Sequence, residues 1–191
     1  YSTHGGWWEW APPCNHFRMP YWAHMREYFA CVQRLSYLMS QGHHRCDVAI
    51  LYPVAPMQAD LGGQEAVQAA FSLGKHLFNQ GIDFDFIDAE SLARAKADGK
   101  VLRVSGEEYR ALALPAVRAV RHSTIEKARE FFRSGGLVLN LGPLPEASDR
   151  IGRGDAELQA AVGEMFAAAE AKDGAPQVRR SPAGGIAARV G

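Results

Sequence analysis

Short apolar runs alternate with amphipathic segments along most of the chain. Four of these runs predict buried strands near residues 48–52, 82–87, 110–114 and 137–141. The segments between them carry apolar residues every three or four positions, which indicates helices. Strands that alternate with helices form parallel sheets with right-handed crossovers. Residues 47–170 are therefore predicted to form a flavodoxin-like, doubly wound α/β domain with helices on both faces of the sheet.

The helical segments have identifiable start signals and apolar faces. A Ser123–Glu126 capping box predicts the start of one helix and Asp155 caps another, while Val101–Val104 predicts a small extra strand. Helices are predicted over residues 21–41, 63–80, 89–95, 123–134 and from 155 onwards. Inward apolar faces are predicted for four of these helices. In the helix over 21–41 the face is Trp22, Met25, Phe29, Val32, Leu35 and Met39, and in the helix over 63–80 it is Val67, Ala70, Phe71, Leu77 and Phe78. In the helix over 123–134 it is Ile125, Ala128, Phe131 and Phe132, and in the helix from 155 it is Leu158, Val162, Met165 and Phe166. Residues 171–191 show no periodicity and are interpreted as a tail or linker.

All four tryptophans lie within the first 22 residues. Glycines and prolines interrupt this stretch, which indicates a loop and not a helix or long strand. Flat indole faces interleaved with His, Asn, Arg and Glu suit a sugar ring, because such a ring has apolar C–H faces and a hydroxyl rim. An aromatic plug that seals the end of a larger domain fits the same residues equally well. The residues alone leave both interpretations open.

Composition excludes several classes of protein. The chain has 191 residues, a net charge of 0 and 47% hydrophobic residues, which supports one ordinary domain with a piece of another. Zero net charge without a basic run argues against nucleic acid as a partner. No apolar run is long enough to span a membrane. Both ends have the character of a fragment, so the sequence leaves the compartment open.

The predicted α/β domain lacks the usual chemical signatures of its fold. Its strand-to-helix turns have no glycine-rich phosphate loop. Class I amidotransferases share the architecture but need a cysteine at a sharp strand-to-helix turn, and none of the three cysteines falls there. Asp83 and Asp85 alternate with phenylalanines, which fits a carboxylate pair or the solvated face of an edge strand, and the edge strand is favoured. We therefore expect a scaffold, without a cofactor.

Histidines and cysteines raise the question of a metal. His43, His44 and Cys46, with Cys14 and His16, match no common zinc spacing. No metal site is predicted from them.

Four segments resemble glycoside hydrolase family 106, the α-L-rhamnosidases. They are MPYW (residues 19–22), RLSYLMSQG (34–42), DVAILYP (47–53) and GIDFDFI (81–87). The resemblance covers residues 1 to about 145, and residues 34–53 are its most specific part. In that family a (β/α)8 barrel holds the active site and a flavodoxin-like domain follows it, as in family 42 β-galactosidases. The resemblance implies a fragment with domains at residues 1–42 (end of the barrel), 47–170 (accessory domain) and 171–191 (tail).

The resemblance also implies where substrate binds. Tyr1–Thr3 would end the eighth barrel strand, and the loop after it would face the catalytic side of the barrel. Sugar-binding residues are then expected to be His4, Trp7, Trp8, Glu9, Trp10, Asn15 and His16. Glycoside hydrolysis needs two carboxyl groups, and Glu9 is the one acid before Glu27. The catalytic residues are therefore unknown, and the fragment alone is expected to be inactive on its carbohydrate substrate. The rival interpretation is a non-catalytic α/β domain for homo-oligomerisation or another interaction.

Overall fold

The computed structural model describes residues 17, 19–42, 44–166 and 176–190. The chain divides into two compact units, residues 1–43 and 44–191. Within the described ranges, no helix combines the length and hydrophobicity that a membrane crossing requires.

The described part of the first unit is a helix. A 3-10 turn at Trp22–His24 leads into α1, Met25–Met39, which confirms the predicted helix. Its apolar stripe is not buried: Phe29 is 41% exposed, Leu35 54% and Met39 81%. An amphipathic helix with this much exposed apolar surface presents a face suited to packing against another element.

The second unit contains five helices and twelve strands among its described residues. The helices are α2 Val54–Gln58, α3 Gly63–Asn79, α4 Ala89–Arg94, α5 His122–Ser134 and α6 Ala156–Met165. The strands are β1 Val48–Leu51, β2 Phe84–Ile87, β3 Lys96–Asp98, β4 Val101–Val104, β5 Glu107–Tyr109, β6 Ala111–Pro115, β7 Ala119–Val120, β8 Leu137–Leu141, β9 Ala147–Ser148, β10 Gly152–Arg153, β11 Gln177–Arg180 and β12 Ile186–Val190. The predicted extra strand at residues 101–104 is confirmed as β4.

A six-stranded sheet in the order β11-β12-β8-β6-β1-β2 organises this unit. The four predicted strands correspond to β1, β2, β6 and β8, and their neighbours pair in parallel as expected. β6 is buried along its whole length, which explains its unbroken apolar sequence. Smaller sheets are formed by β3-β4-β5 and by β10-β9-β7.

The interpretation of residues 171–191 as a tail is wrong. β12 pairs in parallel with β8, in register from Ile186 opposite Leu137 to Val190 opposite Leu141, and β11 pairs antiparallel with β12 at the edge. Ala187 and Ala188 are 1% and 7% exposed. Because alanine is small and only weakly hydrophobic, the hydrophobic pattern of residues 186–190 did not predict a buried strand.

Helix faces and caps agree with the sequence in part. The predicted faces of α5 and α6 are buried, and Asp155 caps α6 by accepting from the backbone N of Glu157 and Leu158. The predicted face of α3 is wrong at Phe71 and Phe78, which are 52% and 77% exposed.

In α3 the buried positions are Ala66, Ala70 and Gly74. A Cβ at Gly74 would lie 2.7 Å from the ring of Phe84, so the helix approaches the sheet through its small residues. The large aromatic residues on the same helix therefore point to solvent. The spacing of hydrophobic residues along the sequence does not show which of two apolar faces packs on the sheet.

The Ser123–Glu126 capping box is also wrong. α5 begins one residue earlier, after Arg121, and no side chain of its own segment caps it. Asp149, distant in sequence, instead accepts from the backbone N of His122 at 2.8 Å. A tertiary contact has replaced the local cap.

Candidate functional site

The predicted sugar-binding residues cannot be placed. All seven lie outside the described residues: His4, Trp7, Trp8, Glu9, Trp10, Asn15 and His16. Among the tryptophans, Trp22 lies within the described part, where its ring meets Phe29 edge-on at 6.5 Å between centroids. The sugar-binding loop therefore stays a prediction.

A cavity of about 300 Å³ lies beyond the carboxyl ends of β1 and β2. Tyr52 follows β1, Asp88 and Glu90 follow β2, and Arg121 and Thr124 join from the start of α5. In open α/β sheets ligands bind beyond the carboxyl ends of the parallel strands. The cavity is thus in the position where this architecture places a ligand.

The charged groups of this cavity are already engaged. Asp88 accepts from the backbone N of Glu90 at 2.9 Å and of Ser91 at 2.8 Å, and so caps α4. The Ser91 hydroxyl and these backbone bonds lower the pKa of Asp88. Glu90 pairs with Arg121 at 3.4 Å. Asp88 is therefore held ionised as a cap, which does not suit it as a proton donor in glycoside hydrolysis.

Thr124 contributes a buried side-chain oxygen without a hydrogen-bond partner to this cavity's lining. It is fully buried, and its Oγ1 has no hydrogen-bond partner among the described residues. Buried hydroxyls are normally satisfied by protein, water or ligand. The cavity can therefore bind a small molecule, but its lining offers no nucleophile paired with a base.

The turn after β6 lies at the carboxyl end of a central strand of the sheet. It contains Ala116, a 2% exposed residue with a left-handed φ of 49°. Its backbone N donates to the carbonyl of Leu141 at 2.7 Å. Of the two described cysteines, Cys31 lies in α1 and Cys46 precedes β1. The turn has an unusual backbone conformation, but the side chain of Ala116 is a methyl group and cannot act as a nucleophile.

At the opposite, amino-terminal edge, five side chains converge. We refer to His44, Cys46, Asp83, Asp85 and Tyr109 as the amino-edge cluster. β1 and β2 pair in parallel with Val48 opposite Phe84, so residues that precede the two strands are neighbours. That register brings together groups that are 39 residues apart in the chain.

Asp85 is the centre of the amino-edge cluster. Its Oδ2 accepts from the Cys46 thiol at 3.2 Å and from the Tyr109 hydroxyl at 3.0 Å. The Nδ1 atom of His44 lies 3.4 Å from the same oxygen, and its Nε2 lies 3.0 Å from Asp83 Oδ2. β2 is an edge strand, as the sequence predicted, but its two aspartates converge on a histidine.

The protonation states follow from this arrangement. Burial, with the hydrogen bond to Asp85, raises the pKa of Cys46 to about 12. Burial and the same carboxylate raise the pKa of Tyr109. The hydrogen bond with Asp83 raises the pKa of His44 and lowers that of Asp83. Asp85 is thus surrounded by two neutral donors and one imidazole.

The donor atoms of His44, Cys46 and Asp85 all lie within 4.8 Å of one another, close enough to share a metal ion. The sequence placed Asp85 on the solvated face of an edge strand and did not join it to His44 and Cys46. The signal was available in the pairing of β1 with β2, because parallel neighbours bring their amino ends together.

Comparison with known proteins identifies the family to which this sequence is similar. Residues 13–183 match the model of a glycoside hydrolase family, number 106, described as alpha-L-rhamnosidase. A rhamnosidase from Novosphingobium sp. PP1Y superposes with a TM-score of 0.59 and 17% identity over 92% of this chain. No curated protein matches the chain in sequence.

Two structures of a GH42 beta-galactosidase from G. stearothermophilus, one of them a catalytic mutant, are also similar in fold. Their TM-scores are 0.54 and 0.50, with 18% and 20% identity over 79% and 80% of this chain. The chain spans 16% of the rhamnosidase and 21% of each beta-galactosidase chain. It is therefore similar to a small part of each enzyme.

Proposed function

This chain belongs to glycoside hydrolase family 106, the alpha-L-rhamnosidase family, and on that premise we propose that it is part of a glycosidase acting on rhamnose-containing or related glycans. The family match over residues 13–183 is the observation that carries the proposal. Within such an enzyme the chain supplies a sugar-binding loop and an accessory domain.

In the proposed enzyme, residues 1–42 end the catalytic (β/α)8 barrel. α1 is its last helix, and the aromatic loop before it faces the substrate. The exposed stripe of α1, with Leu35 54% and Met39 81% exposed, supports this role because a barrel helix packs such a stripe against barrel strands. His4, the three tryptophans Trp7, Trp8 and Trp10, and the polar Glu9, Asn15 and His16 then line sugar subsites.

The second unit serves as a flavodoxin-like accessory domain in this proposal. The parallel order β2-β1-β6-β8 supports the flavodoxin-like assignment. Ala116 in the turn after β6 supports a non-catalytic role, since a methyl group cannot attack a substrate. Catalytic carboxylates are supplied by other barrel strands of the full enzyme.

Hydrolysis of a chromogenic aryl α-L-rhamnoside tests the proposal. The full-length enzyme should release the aglycone, whereas the 191-residue chain should release no more than its Glu9→Gln variant. Failure of the full-length enzyme on rhamnosides, with activity on another glycoside, would overturn the rhamnose assignment. An upstream open reading frame without further strand–helix units and strand-end glutamates would overturn the glycosidase assignment.

The alternative is a non-catalytic domain that forms homo-oligomers. A patch of aromatic rings favours it: Phe86 contacts Tyr52, Phe71 and Phe84 at centroid distances of 5.3–5.8 Å. Phe71 is 52% exposed, and exposed aromatic patches often mark interfaces. Sedimentation of the chain and of Phe71→Ser separates the cases, because an oligomer through this patch should dissociate in the variant.

A further inference from the structure

The amino-edge cluster has a composition and geometry that go beyond the proposed glycosidase function. We propose that it binds one zinc ion through His44 Nδ1, Cys46 Sγ and a carboxylate oxygen of Asp85. The three ligands come from the segment before β1 and from β2.

The distances between donor atoms fit a zinc ion. Zinc binds nitrogen, oxygen and sulfur at about 2.0–2.3 Å in tetrahedral geometry, which separates neighbouring donors by roughly 3.3–3.5 Å. Cys46 Sγ and Asp85 Oδ2 are 3.2 Å apart, and His44 Nδ1 and Asp85 Oδ2 are 3.4 Å apart. All three donors lie within 4.8 Å of one another. A small adjustment of side chains is enough to place an ion among them.

The outer shell of a zinc site is present as well. A zinc-bound histidine usually donates its other ring N–H to a carboxylate, and ligating carboxylates are themselves hydrogen-bonded. His44 Nε2 lies 3.0 Å from Asp83 Oδ2, and the Tyr109 hydroxyl donates to Asp85 at 3.0 Å. Asp83 therefore orients the imidazole, and Tyr109 orients the carboxylate.

The donor set selects the metal. A thiolate with an imidazole and a carboxylate suits zinc, whereas calcium and magnesium prefer oxygen ligands alone. Cys46 is 4% exposed, while the side chains of His44 and Asp85 are 45% and 33% exposed. The solvent side of the cluster leaves room for water as the fourth ligand.

Binding exchanges a proton for a metal bond. In the metal-free chain the Cys46 thiol donates to Asp85. As the Sγ–Zn bond forms, that proton passes to solvent and the thiol binds as thiolate. The ion then joins the segment before β1 to the edge strand β2, so zinc should stabilise the second unit.

Cobalt substitution in a chain with one thiol tests the proposal. A Cys14→Ser, Cys31→Ser background leaves Cys46 as the single cysteine of the three. Added Co²⁺ should produce a thiolate-to-metal charge-transfer band at one equivalent, and Zn²⁺ should displace it. Zn²⁺ should also raise Tm. Absence of the thiolate band in this background would overturn the proposal.

Two aspartates give a matched pair of variants. Asp83→Asn should keep the thiolate band but weaken zinc affinity about 10–100-fold, because it replaces the charged partner of His44 by a neutral amide. Asp98→Asn, which changes an exposed aspartate paired with Arg103, should leave affinity unchanged. His44→Ala should abolish stoichiometric binding. Equal zinc affinity in the parent and His44→Ala would contradict the site.

Discussion

The Ser148 hydroxyl donates a 2.5 Å hydrogen bond to Asp155, the residue that caps α6. Both residues are buried, and Asp155 also accepts from the backbone N of Glu157 and Leu158. Ser148 belongs to β9, so this bond fixes the start of α6 relative to a small sheet. The site of the cap is readable from the sequence, but its buried partner is not.

Asp155→Ala should lower the free energy of unfolding more than Asp88→Ala does. The exposed Asp88 cap of α4 follows the usual loss of about 1 kcal/mol. Asp88 also accepts from two backbone N–H groups and a serine hydroxyl, but those bonds are exposed, whereas removing Asp155 leaves the Ser148 hydroxyl and the Leu158 N–H without this acceptor in a buried place. Urea unfolding of the two variants measures the difference, and equal losses would show that burial of the Asp155 cap adds nothing.

The same carboxylate should contribute to acid sensitivity. The Ser148 hydroxyl and two backbone N–H groups lower the pKa of Asp155 below its usual 3.8. A depressed folded-state pKa contributes stability above the unfolded value and loses it as pH falls through the folded one. Tm of the parent should therefore fall more steeply below about pH 4 than Tm of Asp155→Asn. Parallel Tm curves would contradict this linkage.

Two glycines should respond in opposite directions to alanine. Gly163 is exposed within α6 with open space around a Cβ, so Gly163→Ala should raise the free energy of unfolding by about 0.5–1 kcal/mol. A Cβ at Gly185 would lie 1.9 Å from the carbonyl oxygen of Phe132. Gly185→Ala should therefore lower it by about 1–3 kcal/mol or more. Thermal unfolding of both variants checks the signs.

The strand at residues 186–190 could not be predicted from the sequence. The strong apolar runs of β1, β2, β6 and β8 identified four strands and their parallel pairing, because each run has a capped helix beside it. β12 carries two alanines at its buried positions and so has no strong apolar run, and its pairing with β8 depends on the sheet already formed. The amino-edge cluster was missed for a similar reason, since strand register and not sequence spacing joins His44 to Asp85.

The buried positions of β12 should not tolerate a charged side chain. Ala187→Asp places an unpaired carboxylate at a 1% exposed position and should lower the free energy of unfolding by more than about 2 kcal/mol. Val178→Asp on the neighbouring β11, where the side chain is 57% exposed, should change it by less than about 0.5 kcal/mol. Equal tolerance at both positions would contradict the pairing of β12 with β8.

Cys46 should be the slow thiol of the metal-free chain. It is 4% exposed and its pKa is raised to about 12, so little thiolate is available at neutral pH. Cys31 is exposed on α1 and should react quickly. Iodoacetamide labelling of Cys14→Ser with EDTA present, followed by peptide mass mapping, compares the two rates. Similar rates would mean that the segment before β1 opens readily.

Substitution of the tryptophans in the aromatic loop of the full-length enzyme should show whether the loop binds sugar or only seals the end of a domain. A stacked aromatic contributes about 1 kcal/mol beyond its buried area, so Trp7→Ala, Trp8→Ala or Trp10→Ala should raise KM several-fold where the indole faces sugar. Adjacent residues such as Trp7 and Trp8 are expected to point in opposite directions, so one of them can be silent. Trp22→Ala is the control, because its ring packs on Phe29 at the start of α1 and its loss should lower Tm with little change in KM. If all three loop variants behave like Trp22→Ala, the loop is a plug and the sugar-binding proposal is wrong.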